Sequence, residues 1–201
     1  PRHAAPLLQG LEEAYRGRAM SDLPEELVER LRATGQLPLA LRLRQGEAAA
    51  VTEAVARVAN PKTPADEQLR LVRALGETRA GDAIPALLNA AGAGRTESLR
   101  MAAFVALSTF PEEGLGERIA ALLPKTKGAT RDAAVGALAS RPAWGRSLLR
   151  SLEAGDISAS TVPADAADRL RRSGDPAVAA RAAFTASGEI GEAPWPHSRR
   201  T

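Results

Sequence analysis

The residues able to do chemistry are few. His3 and His197 are the only two histidines and stand at opposite ends of the sequence, which contains no cysteine. A zinc site needs three or four convergent ligands, and neither histidine has them nearby, so no metal site is predicted. Without cysteine, disulfides, thiolate catalysis, Cys-type zinc sites and covalent haem attachment are excluded within this stretch. The glycine-rich run "GAGRTES" (Gly92–Ser98) enters a helix, where backbone N–H groups can hold an anion. It lacks the GxxxxGK[ST] spacing and follows no strand, so it reads as a turn with Thr96 as helix cap. The carboxylate pairs Glu12/Glu13, Glu25/Glu26 and Glu112/Glu113 sit in or near first helical turns, where they complement the helix dipole without any catalytic role. No catalytic residue and no cofactor-binding residue is assigned.

Trp144, in "SRPAWGRSLL", is a stacking platform only if exposed; in a chain this poor in aromatics it reads as a plug between small side chains. Phe104, Phe110 and Phe184 fall on apolar faces, and Trp195 lies in the tail "APWPH". Arginine is the distinctive polar residue, with 24 Arg against 3 Lys. Its planar fork pairs bidentately with carboxylates, which suits bonds between helices as well as partner binding. Arg70, Arg73, Arg100 and Arg131 are the candidate interaction surface, near helix ends that face one side. Pairing of Arg100 and Arg131 with acidic turn residues such as Asp82 or Glu97 is the structural alternative.

These side chains must be positioned by helices. Of 201 residues, 44% are hydrophobic but only 3% aromatic, so the core is Ala, Leu, Val and Ile, a composition for closely packed helices. No apolar run is long enough to span a membrane, so no direct insertion is expected. Net charge is +3, yet residues 1–100 carry 14 Lys/Arg against 13 Asp/Glu and residues 101–201 carry 13 against 11. The signs are interleaved, which describes a solvated surface and no nucleic-acid footprint. The chain opens on Pro1 with no signal-peptide pattern and reads as a segment of something longer.

Helix starts and stops recur. Asp22 with Glu25 forms a capping box for a helix ended by Gly35. The run "GEAAAVTEAVARVANPKTP" predicts a helix to about Ala59, stopped by Asn60 and Pro61. Thr63 is the expected cap of the next helix, with Pro64 at its first position and Asp66 in the capping-box place. Thr96, Thr130 and Asp175 are later caps, and "LPLALRLRQ" reads as a short helix.

The sequence also repeats. Leu43, Leu75, Leu107, Leu138 and Leu170 recur at intervals of 32, 32, 31 and 32 residues, within "RALG" (73–76), "VALS" (105–108) and "GALA" (136–139) for the middle three. A second column runs through Val55, Leu87, Ile119 and Leu149. One helical hairpin with its turns fills such a period, and each hairpin buries its apolar face only by stacking on the next.

"ALGETRAGDAIPALLNAAGAGRTESLRMAAFVAL" resembles HEAT repeats of the short, Ala-rich kind, with an outer helix "AIPALLNAA" and an inner helix "ESLRMAAFVALS". The resemblance covers residues 39–187 and implies a right-handed α-solenoid of about four to five stacked HEAT-like helical hairpins. Residues 1–38 then form N-terminal helices or a capping hairpin and residues 188–201 an irregular tail. Residues 35–77 and 139–184 are further similar to the HEAT segment of large bacterial membrane-bound dehydrogenases of the PVC-type haem-binding class. That likeness implies a β-propeller domain before the helical segment and a CxxCH cytochrome c domain after it. This chain carries neither, and "GEIGEAPWPHSRRT" departs from the pattern.

Fold alone does not give function. The expected role is a non-catalytic scaffold or protein-interaction module, a segment of a larger exported or periplasmic bacterial dehydrogenase or cytochrome c-type protein. Its partners are then another protein or other domains of the parent chain, with no small-molecule ligand. The alternatives are a HEAT-like DNA glycosylase, which needs clustered positive charge, and a chromophore-lyase-like protein binding a tetrapyrrole.

Overall fold

The structure is a computed structural model that describes residues 39–186 and the single positions 10, 26, 29 and 37, with side chains as far as Ala182. The described residues are all-helical, with no strand among them. In chain order the helices are α1 (Leu39–Arg44), α2 (Ala48–Ala59), α3 (Ala65–Thr78), α4 (Ile84–Ala91), α5 (Glu97–Leu107), α6 (Leu115–Ala120), α7 (Gly128–Leu138), α8 (Pro142–Glu153), α9 (Ala164–Arg171) and α10 (Pro176–Ala186). Short 3₁₀ turns occupy Gly81–Ala83, Leu123–Lys125 and Ala159–Thr161. His3, His197, Trp195, Glu12/Glu13, the helix from Asp22 to Gly35, the side chain of Phe184 and the terminal segments 1–38 and 188–201 lie outside the described residues, save the single positions above.

The chain divides into two compact units, residues 1–112 with 125–134 and residues 113–124 with 135–201. In the first, α1 packs against α2 and α3, α3 against α2 and α5, and α4 against α2 and α5. In the second, α8 packs against α6 and α10, and α9 against α10.

Local chemistry sets the helix ends. At the end of α2 the backbone N–H of Asn60 donates to the carbonyls of Ala56 and Arg57, and Pro61 has no N–H to go on. The buried Gln68 amide closes this turn by donating to the carbonyls of Val58 (3.3 Å) and Asn60 (2.9 Å). "LPLALRLRQ" forms the short helix α1 as expected. Thr96 caps α5, its hydroxyl accepting from the Leu99 N–H, and the Asp175 carboxylate caps α10, accepting from Ala177 (2.9 Å) and Val178 (3.3 Å).

Two expected caps are corrected. Pro64, not Thr63, is the cap of α3: its ring fixes an extended approach (φ −52°, ψ 140°) and its carbonyl accepts the first helical bond, from Gln68. Thr130 is a buried residue inside α7, which already begins at Gly128.

The repeated leucines are core. Leu43, Leu75, Leu107 and Leu138 are fully buried and Leu170 is buried as well, each contributing on the order of 1.5–3 kcal/mol of transfer free energy. In the second column Leu87, Ile119 and Leu149 are buried, but Val55 is half-exposed. The buried stripe of α2 is Ala50, Ala54 and Val58, one full i, i+4, i+8 row beside Val55. Phe104 and Phe110 are fully buried, as expected.

Candidate functional site

In the first unit an open groove of about 550 Å³ runs between α3 and α5. Arg73, Gly76 and Glu77 of α3 form one wall. The other wall is a single helical stripe on α5, Ser98, Met101, Ala102, Val105 and Ala106, continued by Thr109 just beyond it. The floor is made of small residues because α3 and α5 touch there. A Cβ on Gly76 would lie 2.7 Å from the Cβ of Ala106, and the Thr109 hydroxyl donates to the Gly76 carbonyl at 2.7 Å. Val105 is 61% exposed, the one large apolar side chain so exposed among the described residues.

The four singled-out arginines do different things. Arg73 lines the groove and is exposed, with no ion-pair partner among the described residues. Arg70, one turn earlier, forms a solvent-exposed i, i+4 pair with Asp66 at 2.9 Å. Arg100 donates to the carbonyls of Ala91 (3.2 Å) and Lys125 (2.9 Å), and Arg131 donates to that of Thr126 (2.5 Å). Arg100 and Arg131 therefore converge on one turn. Their partners are main-chain oxygens and not Asp82 or Glu97, because carbonyls left free at helix and turn ends accept charged N–H donors.

Arginine bridges between helices do exist, made by residues outside the expected set. Arg44, its side chain 8% exposed, pairs with Glu77 at 2.6 Å and ties α1 to α3. Arg42 joins α1 to Glu47 and Glu53, and Arg57 joins α2 to Glu67. Hydrogen bonds, to Glu47 first for Arg42 and to Glu67 for Arg57, raise both guanidinium pKa values, so both stay charged. In the second unit Arg150 pairs with Glu117, Arg146 with Asp175 and Arg181 with Glu153. Two of these bridges span 33 residues, Arg44–Glu77 and Glu117–Arg150, as does the hydrogen bond from Thr109 to Gly76. Opposite charges offset by one residue from the leucine period were the readable signal.

The remaining candidates are structural. Trp144 is fully buried, its ring over the position where Gly116 lacks a Cβ, with the Arg141 guanidinium 5.2 Å from the ring centre; it offers no stacking platform. The "GAGRTES" turn is closed on itself by the Thr96 cap and by Arg95 donating to Asn89 at 2.8 Å. Glu112 and Glu113 are exposed just ahead of α6. Among the described residues no group of His, Asp or Glu is placed to hold a metal ion, and no helix is long and apolar enough to cross a membrane. No protein-family model, curated protein or solved structure matches the chain.

Proposed function

We propose that this chain is a non-catalytic helical-repeat interaction module, a right-handed α-solenoid of four to five HEAT-like hairpins whose α3–α5 groove receives a segment of a protein partner or of another domain of its parent polypeptide. The observation that carries this reading is the open groove itself, whose lining joins Gly76, Met101, Ala102, Val105 and Ala106 into one apolar surface with Val105 exposed on it. The repeat reading is supported by the buried leucine column and by the 33-residue separation of bonds within both units. The groove's polar groups are an arginine, a glutamate engaged by Arg44, a serine and a threonine bonded to a carbonyl; they suit recognition and not bond making.

A photo-reactive benzoylphenylalanine placed at Val105, and separately at the exposed Ala56 of α2, tests this in the native host. Capture of one defined protein segment from position 105 and none from 56 is the expected result; equal capture, or none from either, overturns it. The parentage rests on sequence resemblance. A c-type haem spectrum from the full-length native polypeptide is expected, and a haem-free chain of the present size discards that parentage.

A further inference from the structure

We propose that the occupant of the α3–α5 groove is a short amphipathic helix that carries a carboxylate beside its apolar face. The proposal rests on the interaction-module reading and goes further by fixing the chemistry of the partner. The shape comes from α5. Its lining positions, from Ser98 through Met101, Ala102, Val105 and Ala106 to Thr109, follow the spacing 0, 3, 4, 7, 8 and 11 of one helical face. That stripe is about 16 Å long, three turns of helix. Val105 is its exposed apolar side chain. A visiting helix laid along a stripe of this length sets its own side chains between those of α5, Val105 included. The small floor at Gly76, Ala102 and Ala106 lets the visiting helix approach closely, and the flexible Met101 adjusts to its side chains. No strand edge exists among the described residues to take an extended peptide by main-chain pairing.

The sign of the charge comes from α3. Two charged residues line that wall, Arg73 and Glu77. Glu77 is already engaged by the nearly buried Arg44 at 2.6 Å. Arg73 has no ion-pair partner among the described residues, so the groove presents one uncommitted guanidinium. A carboxylate on the rim of the partner's apolar face meets it with two parallel hydrogen bonds. A basic residue there would face Arg73 with its counter-ion already taken.

The test is fluorescence polarisation of the full chain with a labelled amphipathic peptide, leucines on one face and a single flanking Glu, against its twin with Lys in place of that Glu. The Glu peptide is expected to bind, with the Lys twin weaker by about fivefold or more, as for an exposed ion pair turned into a repulsion. Arg73→Glu should reverse this preference. Val105→Asp, at an exposed site that leaves the helix content unchanged by circular dichroism, should remove binding of both. Equal binding of the twins, or a preference untouched by Arg73→Glu, overturns the proposal. Native mass spectrometry showing a fatty acid held by the wild-type chain and lost from Val105→Asp overturns it in favour of a lipid site. If neither peptide binds while the photo-reactive group at 105 still captures a protein segment, the acidic-helix proposal falls and the interaction module stands; if that capture fails too, both fall.

Discussion

Gly76 of α3 and Ala106 of α5 meet with no room for a methyl group between them: a Cβ on Gly76 would lie 2.7 Å from the Cβ of Ala106 and 2.9 Å from its Cα. This close approach sets the depth of the groove and brings the Gly76 carbonyl within reach of the Thr109 hydroxyl. Gly76→Ala must push the two helices apart, at a cost of about 1–3 kcal/mol for overpacking. Gly114→Ala, where nothing lies within 4 Å, should stay near wild type in the same urea melts. Adding Ala106→Gly to Gly76→Ala should recover part of the loss, since the added methyl then meets backbone alone. A Gly76→Ala chain as stable as wild type would show that the helices do not touch there.

The two leucine-type columns carry unequal weight. Leu75 is fully buried in α3, whereas Val55 on α2 is half-exposed. Leu75→Ala should therefore cost about 2–5 kcal/mol, the range for a buried leucine. Val55→Ala should cost less, about 1 kcal/mol, because Val55 is only partly buried and loses fewer methyl groups. Equal losses in denaturant would place Val55 back in the core stripe of α2.

That difference shows where the sequence is legible. The leucines at 32-residue spacing are readable because a large aliphatic side chain at a helix end has one place to go. α2 is not: "AAAVTEAVARVA" offers Ala54, Val55 and Val58 together, and the pattern does not choose between rows one residue apart. Helix ends are readable where one residue does the capping, as at Thr96 and Asp175. They fail at Thr63, where the next residue's ring and carbonyl take over the entry, and at Thr130, which lies inside α7 because that helix already begins at Gly128. The groove was half legible. Arg73 stood among the candidate residues, but nothing in the sequence singles out Val105; the meeting of Gly76 with Ala106 shows which face of α5 is left open.

Acid should loosen α10 through its cap. The Asp175 carboxyl is held below the ordinary carboxylate range, chiefly by its hydrogen bonds from Arg146; burial opposes this next, and the N–H groups of Val178 and Ala177 add smaller lowering effects. A carboxylate whose folded pKa lies below its unfolded one contributes stability above the unfolded value, which is lost as pH falls through the folded one. The loss is thus expected below about pH 4, the unperturbed aspartate range. Asp175→Asn keeps a side-chain oxygen for the two N–H groups and should flatten the acid limb of a melting-temperature profile for the second unit. An acid limb identical in Asp175→Asn and wild type would remove Asp175 from the account.

The four arginines of the expected interaction surface separate into three jobs, and the separation is measurable. Arg70 pairs with Asp66 while both remain largely exposed, so Arg70→Ala should change stability by less than about 1 kcal/mol and lose what effect it has in high salt. Arg100 spans two main-chain oxygens, those of Ala91 and Lys125, with Nε and Nη2. Lysine has one ammonium and no fork, so Arg100→Lys must leave one carbonyl without its charged donor, a loss of about 1 kcal/mol. Arg131 works on the neighbouring carbonyl of Thr126, so the losses from Arg100→Lys and Arg131→Lys should fail to add, since both hold the same turn. Neither substitution should alter capture by the photo-reactive group at position 105, because both guanidinium groups are committed to this turn and neither lines the groove. Arg73→Ala is expected to do the opposite, leaving the melting curve in place and weakening capture. Reduced capture by Arg100→Lys at unchanged stability would move the partner surface from the α3–α5 groove to the turn at Lys125 and Thr126.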